Sequence, residues 1–359
     1  MSIRVLVVDD SATMRGLISL ALRKDPEIEV VATADNPLTA REAVKTHNPD
    51  VITLDVEMPG MNGLEFLDKI VRLRPTPVIM VSNLTGEGTE TAIEAMQIGA
   101  VDCIAKPSPG DPQPFAELPG LVKVAYGARV RPRPSYGSEA ARREQARPLI
   151  TSYESDGRLV AIGSSTGGIE ALTAILSQLP ANCPPVLIVQ HMPPDFTASL
   201  ARRLDKIHAP QVKEAADGEL IRPGCVYIAP GGASHLEVVE SGGLRCRLRP
   251  GAPVNGHSPS VDVLFASVAR TLKANAIGLI LTGMGRDGAQ GLLAMREAGA
   301  RTLGQDEATS LIYGMPKVAF ELGAVERQMP IDRVANALLV MTNTRGLQGR
   351  EPKCHSQTS

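Results

Sequence analysis

The chain has 359 residues, 43% hydrophobic and 21% charged, with a formal net charge of -2; that length exceeds one ordinary domain and predicts two, or three, separate cores. The near-neutral balance excludes a general affinity for nucleic acid or anionic membrane, and 3% aromatics with no Trp exclude a base-stacking or sugar-stacking platform. The five cysteines (Cys103, Cys183, Cys225, Cys246, Cys354) form no CxxC pair, the N-terminus shows no signal-peptide pattern, and no apolar run nears the ~18 residues of a membrane span. Reduced thiols, a cytoplasmic location and no direct membrane insertion are therefore expected.

Residues 3–107 alternate short β-branched runs (5–8, 30–34, 51–54, 78–81, 102–105) with helical patterns (12–24, 38–46, 63–73, 89–98). Such alternation predicts a parallel sheet covered on both faces, in the flavodoxin-like doubly wound order. Residues 107–114 are proline-rich, and a weak helical stretch interrupted by Pro119 follows. Residues 127–157 then mix Arg129, Arg131, Arg133, Arg142, Arg143 and Arg147 with prolines. This reads as a linker, partly disordered or docked on a domain face, its arginines either a solvated tether or a contact for an acidic partner.

From Leu159 the alternation returns. Strands are expected at 160–162, 186–189, 225–228, 277–281 and 301–304, and helices at 168–179, 260–272 and 289–298. Residues 236–249, with Ser241-Gly242-Gly243 at their centre, read as a β-hairpin. The second unit is thus also α/β, a doubly wound parallel sheet with antiparallel decoration. The expected division is a first domain over 1–120, a linker over 121–156, a second domain over 157–345 and a disordered polar tail over 346–359.

Asp9, Asp10 and Asp55 follow strands that become neighbours in such a sheet, so their carboxylates converge at its C-terminal edge. Three carboxylates in one pocket repel unless a cation compensates, and Mg²⁺ takes oxygen ligands. Ser82 and Lys106 end the next strands and offer a hydroxyl and a cation. Together they form a phosphoryl-accepting set: Asp55 as nucleophile, Asp9, Asp10 and Asp55 around the metal, Ser82 and Lys106 on the phosphoryl oxygens. A single strand-end Asp is more often a helix cap; five suitable residues at successive strand ends argue otherwise.

These residues resemble the receiver domain of bacterial response regulators, through Val5-Leu6-Val7-Val8-Asp9-Asp10-Ser11, Asp55-Val56-Glu57-Met58-Pro59-Gly60-Met61-Asn62-Gly63 and Ala105-Lys106-Pro107. Ile104 departs from the pattern, since many receivers carry Phe or Tyr two residues before the lysine.

Gly163-Ser164-Ser165-Thr166-Gly167 fits G-x-S-x-G, which presents its central serine on a tight strand-to-helix turn. Gly/Ser turns at helix starts also bind phosphate, although no G-K-[ST] follows and a P-loop is excluded. His191 directly follows the strand 186–189 and Gln190, and Asp287 follows another in Leu281-Thr282-Gly283-Met284-Gly285-Arg286-Asp287. His235 and His257 lie in loops able to line the same cleft, while His47, His208 and His355 read as surface residues. Ser165 as nucleophile, His191 as proton carrier and Asp287 as its orienting carboxylate form a triad, with backbone N–H groups of Thr166 and Met284 as the oxyanion hole. The alternative for Asp287 is an N-cap of the helix near Ala289.

The stretches around Ser165, Gln190-His191-Met192-Pro193-Pro194, Tyr227-Ile228-Ala229-Pro230-Gly231, Pro259-Ser260-Val261-Asp262 and Gly283-Met284-Gly285-Arg286-Asp287 resemble the C-terminal domain of the chemotaxis protein-glutamate methylesterases. That resemblance implies hydrolysis of glutamate γ-methyl esters on methyl-accepting chemoreceptors, deamidation of receptor glutamines, a histidine kinase as phosphodonor, Mg²⁺ in the receiver and no cofactor for the ester reaction. It carries the triad to Ser165, His191 and Asp287. Gly256 and Arg286 depart from the family's usual Arg and Asn. The competing reading is a non-enzymatic, phospho-dependent receptor-binding regulator, which loss of a triad residue would favour. A DNA-binding output predicts a short basic helix-turn-helix, which the long second unit lacks.

Overall fold

The structure, a computed structural model, describes residues 2–56, 58, 63–82, 86–107, 113–131, 153–194 and 196–344. The first unit is a five-stranded sheet of β1 (Ile3–Val8), β2 (Ile28–Ala34), β3 (Val51–Asp55), β4 (Val78–Ser82) and β5 (Asp102–Ala105), ordered β2-β1-β3-β4-β5, with every pair parallel. β3 and β4 are buried along their whole length, as strands covered on both faces must be. The covering helices are α1 (Ala12–Leu22), α2 (Pro37–His47), α3 (Gly63–Leu73), α4 (Gly86–Ile98) and α5 (Leu118–Tyr126). Local chemistry sets their ends. Ser11 accepts from Met14 N–H to start α1; Asn36 accepts from Leu38 and Thr39 N–H to start α2, which closes on left-handed Asn48. Pro119, expected to interrupt its helix, sits in the first turn of α5, where no N–H is missed. That helix runs past position 120 and packs on α1.

The second unit is a seven-stranded parallel sheet, ordered β14-β13-β12-β6-β7-β9-β8. Its strands are β6 (Leu159–Ser164), β7 (Val186–Gln190), β8 (Gln211–Glu214), β9 (Cys225–Ile228), β12 (Ala276–Ile280), β13 (Arg301–Gln305) and β14 (Arg327–Met329). The expected hairpin is β10 (Ser234–Glu240) with β11 (Leu244–Pro250), antiparallel. Two parallel α/β sheets with a small antiparallel hairpin were the expected fold class. The edge strands β8 and β14 and the helices Phe196–Ile207, Met315–Glu321 and Ile331–Met341 are additions to the expected elements.

The units share a packed interface. Ala92 and Ile93 of α4 join one apolar cluster with Ile169 and Leu172 of the helix Gly168–Leu176 and Leu200 of the helix Phe196–Ile207. Around it, Gln97 donates to Thr173 Oγ1 (3.3 Å), and Arg203 reaches Gln97 Oε1 (2.5 Å) and Glu94 (3.5 Å). Just beyond α5, Arg129 N–H bonds Leu311 O (2.9 Å) and its guanidinium pairs with Glu307 (2.6 Å), so the start of the arginine-rich segment docks on the second unit. The remainder of the expected linker, 132–152, and the expected tail, 346–359, lie outside the described residues.

Candidate active site and acidic cluster

The C-terminal ends of β1, β3, β4 and β5 bring the candidate residues of the first unit together. Asp9 and Asp55 are buried and Asp10 is exposed; each offers a carboxylate oxygen, all within 4.8 Å of one another. Lys106 Nζ lies 2.8 Å from Asp55 and 3.5 Å from Asp9. Burial pushes the Asp9 carboxyl up, against the pull of Lys106. For Lys106 burial works downward, yet its contacts with Asp55 and Asp9 win and raise it. Asp9 Oδ2, the atom that faces Lys106 at 3.5 Å, is buried. A concentration of hard oxygen atoms with one lysine against it suits a divalent cation. Ser82 Oγ donates to Gly88 O on α4 (3.3 Å).

In the second unit, β6 and β7 are adjacent and in register, with Ser164 opposite Gln190. Ser165 and His191 directly follow the two strands, so the pairing delivers both to the same sheet edge. Gln190 locks this edge. Its Oε1 accepts from Ser164 Oγ (2.7 Å), while its Nε2 donates to Ser165 O (2.9 Å) and His191 O (3.1 Å). The turn then needs glycine: Gly167 has φ +79°, and a Cβ on Gly168 would stand 2.0 Å from Gln190 Oε1.

Neither the Thr166 N–H nor the Met284 N–H has a hydrogen-bond acceptor among the described residues. Their loops are tied together by Thr282, whose hydroxyl bonds Thr166 O (3.0 Å) and receives Ile312 N–H (2.9 Å), and by Gly283 N–H to Ile312 O (3.1 Å). Two free donors beside a serine at a helix start are what an oxyanion requires.

His191 Nε2 lies 2.9 Å from Asp287 Oδ2, both side chains buried. Among the described residues its buried Nδ1 has no hydrogen-bond partner, so the serine hydroxyl is not bonded to it in this resting arrangement. Asp287 also accepts from Ser260 Oγ (2.7 Å), Asn255 Nδ2 (3.1 Å), Val261 N–H (2.7 Å) and Asp262 N–H (3.2 Å). Burial alone would push its carboxyl up; the bonds from His191, Asn255 and Ser260 outweigh it and hold it well below the usual carboxylate range. The alternative, a cap on the helix near Ala289, is corrected here. Gly288 occupies that cap, and Asp287 instead caps the helix Val261–Leu272, whose preceding Ser260 makes no cap bond of its own.

His257 stacks on His191, with ring centroids 3.7 Å apart and planes 8° apart. His235 does not line the cleft: it is buried on β10, its Nδ1 accepting from Ser260 N–H. His208 is half-buried rather than on the surface, and burial pushes it down to about 4. The roles of Gln190, Asn255, Ser260 and Thr282 were missed. A polar residue closing an apolar strand was the available signal for Gln190, and a serine before a helix for Ser260; Asn255 had none.

The first unit roofs this site. A cleft of about 610 Å³ has Ser165, Thr166, His191, His257 and Met284 on one wall and Asp102, Ile104, Leu121 and Val124 on the other. Thr166 Oγ1 donates to Asp102 Oδ2 across it (3.1 Å), and burial raises the Asp102 carboxyl.

The family pattern of the CheB methylesterase matches residues 160–338, and that of the response regulator receiver domain matches 5–113. The chain is 56% identical to the protein-glutamate methylesterase/protein-glutamine glutaminase of Agrobacterium fabrum, over 95% of this chain and 97% of that one. It is 57% identical to protein-glutamate methylesterase/protein-glutamine glutaminase 1 of Caulobacter vibrioides, over 96% and 99%. The crystal structure of the Thermotoga maritima CheB methylesterase catalytic domain superposes with a TM-score of 0.51 at 40% identity, covering 52% of this chain and all of that one. With a receiver in front and the ester-cleaving fold behind, this chain belongs to the CheB methylesterase family.

Proposed function

We infer that this chain is a receiver-controlled protein-glutamate methylesterase and protein-glutamine glutaminase of chemotaxis adaptation. Its substrates are γ-methyl esters and glutamines of methyl-accepting chemoreceptors, its phosphodonor is a histidine kinase, and it works in the cytoplasm. Among the described residues no helix is long and apolar enough to cross a membrane. The observation that carries the reading is the buried His191–Asp287 pair one strand away from Ser165, beside two N–H groups that have no acceptor among the described residues.

Ser165 Oγ bonds to the γ-carbonyl carbon while its proton passes to His191 Nδ1, the nitrogen with no other partner among the described residues. The carbonyl oxygen takes up the displaced electron pair and accepts from Thr166 and Met284 N–H. Asp287 holds the imidazolium through Nε2. Collapse breaks the bond to the methoxy oxygen, which takes the proton from His191 and leaves as methanol. Water then cleaves the Ser165 ester by the same route, releasing the glutamate and restoring the hydroxyl. With a glutamine substrate the leaving group is ammonia.

In the receiver, Asp55 accepts the phosphoryl group, Ser82 and Lys106 contact its oxygens, and Asp9, Asp10 and Asp55 are the residues that would hold Mg²⁺. When bound there, Mg²⁺ supplies the positive charge that offsets three carboxylates and a phosphoryl group. Ser82 can turn to the phosphoryl group only by leaving Gly88 on α4. Since α4 is the helix docked on the esterase, that exchange biases docking and opens the cleft.

The test is methanol release from methylated receptor membranes, with and without acetyl phosphate. Ser165→Ala should abolish release, and Asp55→Ala should keep resting release but lose the response. A folded Ser165→Ala protein that releases methanol at the wild-type rate refutes the reading.

A further inference from the structure

We propose that His257 is a positioning residue for the ester reaction: its ring fixes the plane of the His191 imidazole and must be uncharged for a proton to move onto His191. The inference rests on the triad reading above. His191 is held at its far nitrogen by Asp287 and on one face by His257, with centroids 3.7 Å apart and planes 8° apart. Nothing but Nδ1 is left for the serine.

The segment that carries His257 also grips the carboxylate. Val254 and His257 exchange backbone hydrogen bonds, 3.0 Å each way, closing a tight turn. Within it Asn255 (φ +53°) donates to both Asp287 Oδ1 and Asp262 Oδ2, and Gly256 (φ +82°) supplies the second left-handed position. One turn therefore registers the stacked ring and the orienting carboxylate against each other. A sequence reading places His257 in a cleft-lining loop; only the fold places it face to face with the base.

Electrostatics makes the contact functional. When Ser165 gives up its proton, His191 becomes a cation lying on the His257 ring. A neutral aromatic face at that separation stabilises a cation; a second cation there repels it strongly. The titratable groups facing His257 are His191 from β7, Asp287 from the loop after β12, Asp262 at the start of the helix Val261–Leu272, and, across the cleft, Asp102 of β5 and Glu117 beside α5. Burial, and then His191, lower the His257 pKa, while Asp287 opposes them; the net effect keeps His257 neutral at neutral pH.

The experiment measures methanol release from methylated receptor membranes by the full chain, its His257→Ala and His257→Phe variants and Ser165→Ala, from about pH 5 to 8. Samples returned to neutral pH control for acid unfolding. Alanine removes both ring and charge and should lower kcat about tenfold at neutral pH with KM little changed. Phenylalanine restores a flat face and should recover most of that loss. At the acid end, log rate should fall more steeply with decreasing pH in the wild type than in His257→Phe, since only the wild type has a ring at position 257 that can become charged. Identical slopes in those two proteins, or His257→Ala matching the wild type at every pH, overturn the proposal. Full methanol release by Ser165→Ala would instead overturn the triad reading beneath it, so the two failures are distinguishable.

Discussion

Truncating Ile93 to alanine isolates what the domain interface contributes to resting restraint. Ile93 is fully buried on α4 in the cluster shared with Ile169, Leu172 and Leu200, whereas Ala95 and Ile98 of the same helix belong to the receiver's own core. The substitution therefore weakens docking more than it weakens the receiver. Truncating a core Ile to Ala costs about 2–5 kcal/mol. At an interface that can relax or take in water the lower end applies, and ~2 kcal/mol is about 30-fold in the docking equilibrium. A resting chain open about 1% of the time would then be open about a quarter of the time. Methanol release without phosphodonor should rise by roughly twentyfold on that arithmetic, and acetyl phosphate should add only the remaining few-fold. The assay needs two companions: circular dichroism to establish folding, and phosphate-affinity electrophoresis to establish that Asp55 still accepts phosphoryl groups. Unchanged resting release in a folded, phosphorylatable variant would refute docking through α4 as the source of restraint.

Asp287→Asn should lower kcat by about 10³–10⁴-fold with the fold retained, through loss of the carboxylate that orients His191. Because the Asp287 carboxyl is held below its ordinary value of 3.8, its share of stability is full above that pH and is lost as the pH falls below it; the calorimetric Tm gap between wild type and Asp287→Asn should narrow on acidification, and a widening gap would contradict the assignment. Gly168→Ala drives a Cβ to 2.0 Å from Gln190 Oε1 and 2.8 Å from Ser164 Cβ, so it should break the Ser164–Gln190 bond and remove most methanol release; full activity would show that this edge need not be rigid. Arg129→Glu places like charges at the 2.6 Å contact with Glu307 and should raise resting release, by less than Ile93→Ala because both groups are largely exposed to solvent; no change would mean that the docked linker does not restrain the esterase.

Strand ends were the most legible part of this chain. Apolar β-branched runs that stop at Asp55, Ser82 or Gln190-His191 announce both the strand and the edge where ligands collect, because only a buried strand tolerates such a run and only its end tolerates the polar residue. β8 (QVKE) and β14 (RQM) could not be read this way: each is short and polar, at a sheet edge, and becomes a strand through its neighbour. The helix Ile331–Met341 carries an apolar face, yet which sheet it covers depends on topology alone. The same limit hid the support around Asp287. Asn255 and Ser260 lie 32 and 27 residues away in sequence and meet it only because the helix Val261–Leu272 that they precede packs against β6 and β12. Ala92 and Ile93 read as an ordinary helix face, and nothing local says that the surface they bury belongs to the other domain.

His191 meets its carboxylate through Nε2, and the proposed reaction uses Nδ1 toward the serine, the reverse of the arrangement in chymotrypsin-like proteases. Nδ1 adjoins the ring carbon that bears the side chain's stem, so the reactive lone pair stays close to β7, within reach of a serine on the adjoining strand. This leaves a chemical fingerprint. An ester-mimicking haloketone that first occupies the cleft would alkylate Nδ1, whereas the protease arrangement directs the same reagent to Nε2. The two N-alkylhistidines differ in their ring carbon chemical shifts, so one labelled, digested sample reports which nitrogen carries the proton during turnover.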